Sequence, residues 1–172
     1  MKSQSQIIWA TFLFTIFAIA LQSCKKDEAA EGIDLELLDI SEITTGFTWY
    51  KNSDAWLPAS TGTGHNYSSL RTRYNTIAAT QLDGDGKVMT NASFPEESLI
   101  VKELSNESTV ERYAILYKKS DSEHADSRGW VWGYINSDGT VATTAEDKGA
   151  ICTGCHLQPN NIDYMLMNKF FP

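Results

Sequence analysis

At 172 residues with a formal charge of −8, the chain has room for one domain once its ends are trimmed, and its acidity argues against a nucleic-acid partner. Hydrophobic residues at 42% and charged residues at 21% are ordinary globular values. The acidity is read as solubility, with an acidic face that steers a basic redox partner as the other reading.

Residues 1–23 read as a secretory leader that is not part of the fold. Lys2 supplies the positive start, and Ile7 to Leu21 is apolar apart from two threonines. That run of 15 residues is short for a spanning helix of about 20 and right for a signal. Leu21-Gln22-Ser23-Cys24 resembles a bacterial lipobox, with Gln22 a looser fit than the usual small residue. Cys24 is then the acylated first residue of an exported protein, lipid-anchored to a bacterial membrane and facing the periplasm or exterior. Each buried methylene of such a lipid contributes about 0.8 kcal/mol. An uncleaved N-terminal anchor is the competing reading.

Residues 24–40 are charged and rich in small side chains, which predicts a flexible, solvated tether before a domain at 41–172. Ile40 to Trp56 is expected to hold a helix with Ser41 as its N-cap, although its apolar residues fix no clear period. Pro58 to Asn66 is a Gly/Ser/Thr loop carrying His65, with neither the lysine nor the following helix of a phosphate-binding loop.

From Leu70 to Thr76 apolar and polar residues alternate as in a half-buried strand. Asp83-Gly84-Asp85-Gly86 begins like a calcium loop, but Phe94 stands where its glutamate belongs, so a tight turn is expected. A second strand, Ser98 to Leu104, sets Leu99 and Val101 against Ile100, Lys102 and Leu104. A third, Val110 to Lys118, sets Tyr113, Ile115 and Tyr117 against Ala114 and Leu116. A polar loop, Ser120 to Arg128, carries His124. Trp130 to Ile135 is a fourth strand with three aromatics on one face, closed by Asn136-Ser137-Asp138-Gly139. Thr144 with Asp147 suggests a helix start, and Tyr164 to Phe171 is expected to pack on the domain. The fold class is therefore α+β, predominantly antiparallel sheet with a few helices.

Cys152-Thr153-Gly154-Cys155-His156 reads as a covalent c-type haem attachment site. The two thiols can each add to a vinyl group, and the adjacent histidine becomes the proximal iron ligand. A thioredoxin-like pair would need strands and helices downstream that the short C-terminal remainder cannot supply. A structural zinc site needs four ligands, and the other histidines and cysteine are only His65, His124 and Cys24. A Cys152–Cys155 disulfide would close a short, strained loop. With haem at two thiols and lipid on the third, none remains for a disulfide. Met165 and Met167 follow His156 too closely to fold back to the other haem face, and are read as core residues.

A β-rich body with a late attachment motif resembles the cytochrome P-460 and cytochrome c′-beta family. The likeness runs from about His65 to Tyr164. It rests on Gly64-His65, Tyr74-Asn75, Phe94-Pro95 through Ile100-Val101-Lys102-Glu103-Leu104, Tyr117-Lys118-Lys119, Gly129-Trp130-Val131-Trp132-Gly133, and Cys152 to His156 with Asp163-Tyr164. Glu96-Glu97 departs from the family, which more often turns through a glycine there. The resemblance implies one covalent haem c, five-coordinate iron held by His156, an often dimeric protein, and a small ligand of the nitric oxide or hydroxylamine class. In the P-460 branch a lysine is bonded to the porphyrin rim and hydroxylamine is oxidised. In the c′-beta branch that bond is missing, and gas binding or electron transfer with an unidentified redox partner protein is the expected role. Lys102 is the first candidate for the cross-link, since alternation aims it inward, and Lys118 the second; a surface lysine is the competing reading. Glu103 and Glu111 are candidate distal carboxylates. His65 and His124 are candidate distal groups, and exposed loop histidines are the reading taken for both.

Overall fold

The computed structural model describes residues 28–172, so the expected leader at 1–23 and the acylation at Cys24 lie outside the described residues. The tether expected over 24–40 is overturned from Gly32 onward, where Gly32–Glu42 forms a helix, α1. Ile33, Leu37 and Ile40 recur at helical spacing and pack with Leu38 on one apolar cluster, which is what holds so acidic a segment in place. Asp34 is buried, and its carboxylate accepts from Ala145 N at 2.8 Å and from Thr144 Oγ1 at 2.6 Å. Ser41, expected to open a helix, instead lies in the last turn of α1, its hydroxyl donating to Leu38 O at 2.9 Å. The helix expected over 40–56 is absent beyond Glu42. Its Thr48–Trp49 pair is a short strand, β1, because β-favouring side chains there find a partner strand.

The sheet continues through β2 (Leu57–Pro58), β3 (Ser69–Tyr74), β4 (Leu99–Ser105), β5 (Arg112–Lys118), β6 (Trp130–Asn136) and β7 (Val141–Thr143). All pairings are antiparallel, in the order β1-β3-β4-β5-β6-β7, with β2 also on β3. The mainly antiparallel α+β architecture is thus the one expected, and the four principal strands fall within two residues of their expected limits. Strand β3 stops at Tyr74 because Asn75 turns the chain, its Oδ1 accepting from Ala78 N at 2.8 Å and Leu99 N at 3.1 Å. At Asp83–Gly86 a tight turn forms, Asp83 Oδ1 accepting from Asp85 N and Lys87 N. Among the described residues no three His, Cys, Asp or Glu side chains group as they would round a metal ion, and no helix is long and apolar enough to cross a membrane.

Period-two alternation divides the sheet into two faces. Leu99, Val101, Tyr113, Ile115, Val131 and Ile135 lie under α1. Ile100, Leu104, Leu116, Trp130 and Trp132 face the C-terminal segment, where Tyr164, Met165 and Met167 are buried. That segment contains the short helices α2 (Thr153–His156) and α3 (Met167–Phe170). It is tied down at its end, as Tyr50 Oη donates to Phe171 O at 2.8 Å and Lys51 Nζ to Pro172 O at 2.7 Å.

Candidate functional site

Four strands supply the floor of the site. Thr72, Lys102, Ala114 and Tyr134 are register partners in one row across β3, β4, β5 and β6. The next row is Tyr74, Ile100, Leu116 and Trp132. Ala114 and Thr72 are small, so the sheet is hollowed on either side of Lys102. The roof is the segment from Thr144 onward. Thr144 Oγ1 caps a 3-10 turn at Ala145–Asp147, accepting from Glu146 N at 3.3 Å, where a helix start was expected. Gly149 then has φ +69°, and a Cβ there would meet the Trp132 indole at 2.6 Å. Only glycine lets the backbone come down on Trp132 at this point.

Between floor and roof lie three adjoining hollows, small and partly open to solvent, and His156 lines all three. Cys152 reaches the first two and Cys155 the second and third. Both are free thiols, and the Cys152 thiol is pushed up by burial and by Cys155 beside it. The walls of the first cavity are largely apolar: Ile100, Leu116, Trp132, Met165 and Met167.

His156 is held by two contacts. Its Nδ1 lies 2.8 Å from the Tyr164 carbonyl oxygen. A carbonyl only accepts, so Nδ1 carries the proton and Nε2 keeps its lone pair. The ring also packs edge-on to Trp132, with centroids 5.1 Å apart. Burial, and then the positive charge of Lys102, lower the His156 pKa to about 4, so the imidazole is neutral at pH 7. The residues therefore fit a covalent haem c in their chemistry: two free thiols and a neutral imidazole with a bare nitrogen, together on a largely apolar cleft.

Lys102 lines the same cavity as His156, as alternation on β4 predicts. Among the described residues no carboxylate pairs with it, and burial pushes its amine down to about 8. Lys118, the second candidate, is at the far end of β5, where Nζ donates to Arg128 O at 2.6 Å. Neither candidate distal carboxylate lines the site. Glu103 has the opposite parity to Lys102 and is buried on the α1 face in an ion pair with Arg73 and, at 2.5 Å, with Arg71. Glu111 is held in the β4–β5 hairpin, accepting from Asn106 N at 2.7 Å.

Met165 and Met167 are buried as expected, and both also line the cavity; the Thr72 hydroxyl lies 3.3 Å from Met167 Sδ. His124 sits in its loop away from the cavities, 3.9 Å from Glu123. His65 is not the exposed residue expected. It is half-buried against two of the cavities, 3.2 Å from Tyr134 Oη, and burial lowers its pKa to about 3. Its loop is polar and aperiodic, so periodicity could not choose between the distal and the exposed reading of this residue. Compared with family models, curated proteins and solved structures, the chain gives no match.

Proposed function

We propose that this chain is a c-type haem protein akin to cytochromes P-460 and c′-beta. Cys152 and Cys155 hold the porphyrin, and His156 Nε2 is the proximal iron ligand. The observation that carries the reading is the Nδ1–H bond from His156 to the Tyr164 carbonyl, which leaves Nε2 bare in a cleft that both thiols line. When bound, haem supplies one-electron chemistry and an iron position for a small ligand. The chain's own residues supply orientation and an apolar lining. Tyr164 and Trp132 fix the imidazole, and the walls of the cleft around it are largely apolar.

The small ligand is of the hydroxylamine or nitric oxide class, and the hydroxylamine-oxidising, P-460-like reading comes first. Lys102 supports that order, since an unpaired amine in the same cavity, with its pKa at about 8, is the nucleophile a bond to the porphyrin rim would use. A c′-beta-like protein that binds nitric oxide or carries electrons without turnover is the alternative. Export and a lipid anchor at Cys24 belong to the same proposal, because c-type attachment takes place outside the cytoplasm.

The test is expression in a host that matures cytochromes c, followed by intact mass and a pyridine haemochrome spectrum. The expected result is a haem adduct that Cys152→Ser and Cys155→Ser each weaken to a single thioether. A colourless wild-type protein refutes the reading. A ferrous band far to the red that disappears in Lys102→Ala assigns the P-460 branch, whereas an ordinary haem c spectrum in both assigns the alternative.

A further inference from the structure

The loop before β3 brings a second imidazole to the cleft. Gly64 has φ +73°, and the position of its missing Cβ is 4.0 Å from Cys155 Sγ, so the loop runs directly over the attachment segment. The next residue, His65, lines the two larger cavities together with His156. Its Nδ1 is 3.2 Å from Tyr134 Oη, with the rings 5.6 Å apart. Among the described residues Nε2 has no protein partner.

Which nitrogen of His65 carries the proton is decided by what stands behind Tyr134. The Arg112 guanidinium lies 4.6 Å from the Tyr134 ring centroid and is fixed there by donating to Asn136 Oδ1 at 2.6 Å. A permanent cation beside a phenol makes its O–H a better donor and its oxygen a poorer acceptor. Tyr134 therefore donates, His65 Nδ1 accepts, and the imidazole proton resides on Nε2. His156 is held in the opposite tautomer by the Tyr164 carbonyl. One cleft thus contains one imidazole poised to bind a Lewis acid and one poised to donate a hydrogen bond.

We infer that His65 Nε2–H donates to the outer atom of the small ligand bound in this cleft, with Tyr134 as the positioning residue that sets the His65 tautomer. The inference rests on the haem c reading above. It specifies a ligand with an acceptor atom at its outer end, as in nitric oxide or hydroxylamine, and a His65 that stays off the iron.

The test uses the haem-loaded full chain with two probes, cyanide on the ferric form and carbon monoxide on the ferrous form. Loss of one hydrogen bond in His65→Leu is expected to weaken cyanide about tenfold and to raise the carbon monoxide stretching frequency. His65→Gln, which keeps an N–H donor, stays within about threefold of wild type. Tyr134→Phe weakens cyanide partly, since both His65 tautomers are then populated. Unmoved cyanide affinity and stretching frequency in His65→Leu overturn the inference. So does a low-spin resting spectrum that turns high-spin in that variant, because His65 would then be an iron ligand. An absent haemochrome band overturns the haem reading and this inference together, whereas an intact band with either result above overturns this inference alone.

Discussion

Replacing Glu103 by glutamine separates the two faces of β4 experimentally. Glu103 is 2% exposed and Arg73 is fully buried, with Arg71 closing the other side of the carboxylate. Arg73 also donates to Ser41 O at the end of α1, and the two guanidiniums stack on Phe47, Trp49 and Trp56 at 4.5 to 5.5 Å. Glutamine preserves the shape but leaves a buried guanidinium without its counter-charge, which costs about 3–5 kcal/mol. Against a total stability of about 5–15 kcal/mol, that is a large share. With a urea slope of about 2 kcal/mol per molar, the unfolding midpoint falls by about 2 M. The assay is urea unfolding followed by tryptophan fluorescence, with the visible spectrum recorded on the same samples. The spectrum is expected to be unchanged, since Glu103 points away from the cleft. Replacing Arg73 by methionine and Glu103 by leucine together is expected to recover part of the loss, since the fully buried cation is then gone and only the partly exposed Arg71 lacks its partner. A Glu103→Gln protein of wild-type stability with an altered visible spectrum refutes the face assignment.

Lys102→Met should change the pH dependence of the cofactor-free chain. The amine has a pKa of about 8 when folded against 10.5 in the open chain, so between these values the unfolded state holds more protons and stability rises with pH. That rise is about 3 kcal/mol in the wild type relative to Lys102→Met, read from chemical unfolding at pH 7.5 and pH 10.5. A parallel pH profile in the two proteins counts against a buried amine. Gly149→Ala combines a left-handed backbone with a Cβ 2.6 Å from Trp132, and is expected to lose about 2 kcal/mol or more in thermal unfolding. A wild-type melting curve would mean that the roof is not seated on that indole. Ala114→Leu fills the hollow beside Lys102; the cofactor-free chain is expected to gain about 1 kcal/mol while haem incorporation, measured by haemochrome, falls. Undiminished incorporation would place the cofactor elsewhere.

The sheet was legible because β3 to β6 are amphipathic at period two, and alternation alone aimed Lys102, Trp132 and Tyr134 into one face. The same alternation places Glu103 with Leu99 and Val101, so its candidacy as a distal carboxylate ran against the pattern of its own strand. Helix α1 was hidden because its four acids are interleaved with its five Ile and Leu residues and no side chain caps its start. Asp34, an acid that signals solvent in a sequence, is a buried acceptor for the segment that leads to the cysteines. His65 could be named as a distal candidate but not placed, for a different reason. Its place depends on a loop folding over Cys155 and on a tyrosine 69 residues away, and neither leaves a local pattern.

The row Thr72–Lys102–Ala114–Tyr134 constrains how the gene for this chain can drift. Neighbouring positions on β4 serve opposite compartments, an amine facing the cleft and a carboxylate neutralising two guanidiniums behind it. Deleting or inserting one codon inside the strand would exchange those tenants, stranding a cation in one layer and an anion in the other. Length variants among descendants of this sequence are therefore expected in connecting stretches such as residues 119–129, and not between Leu99 and Ser105.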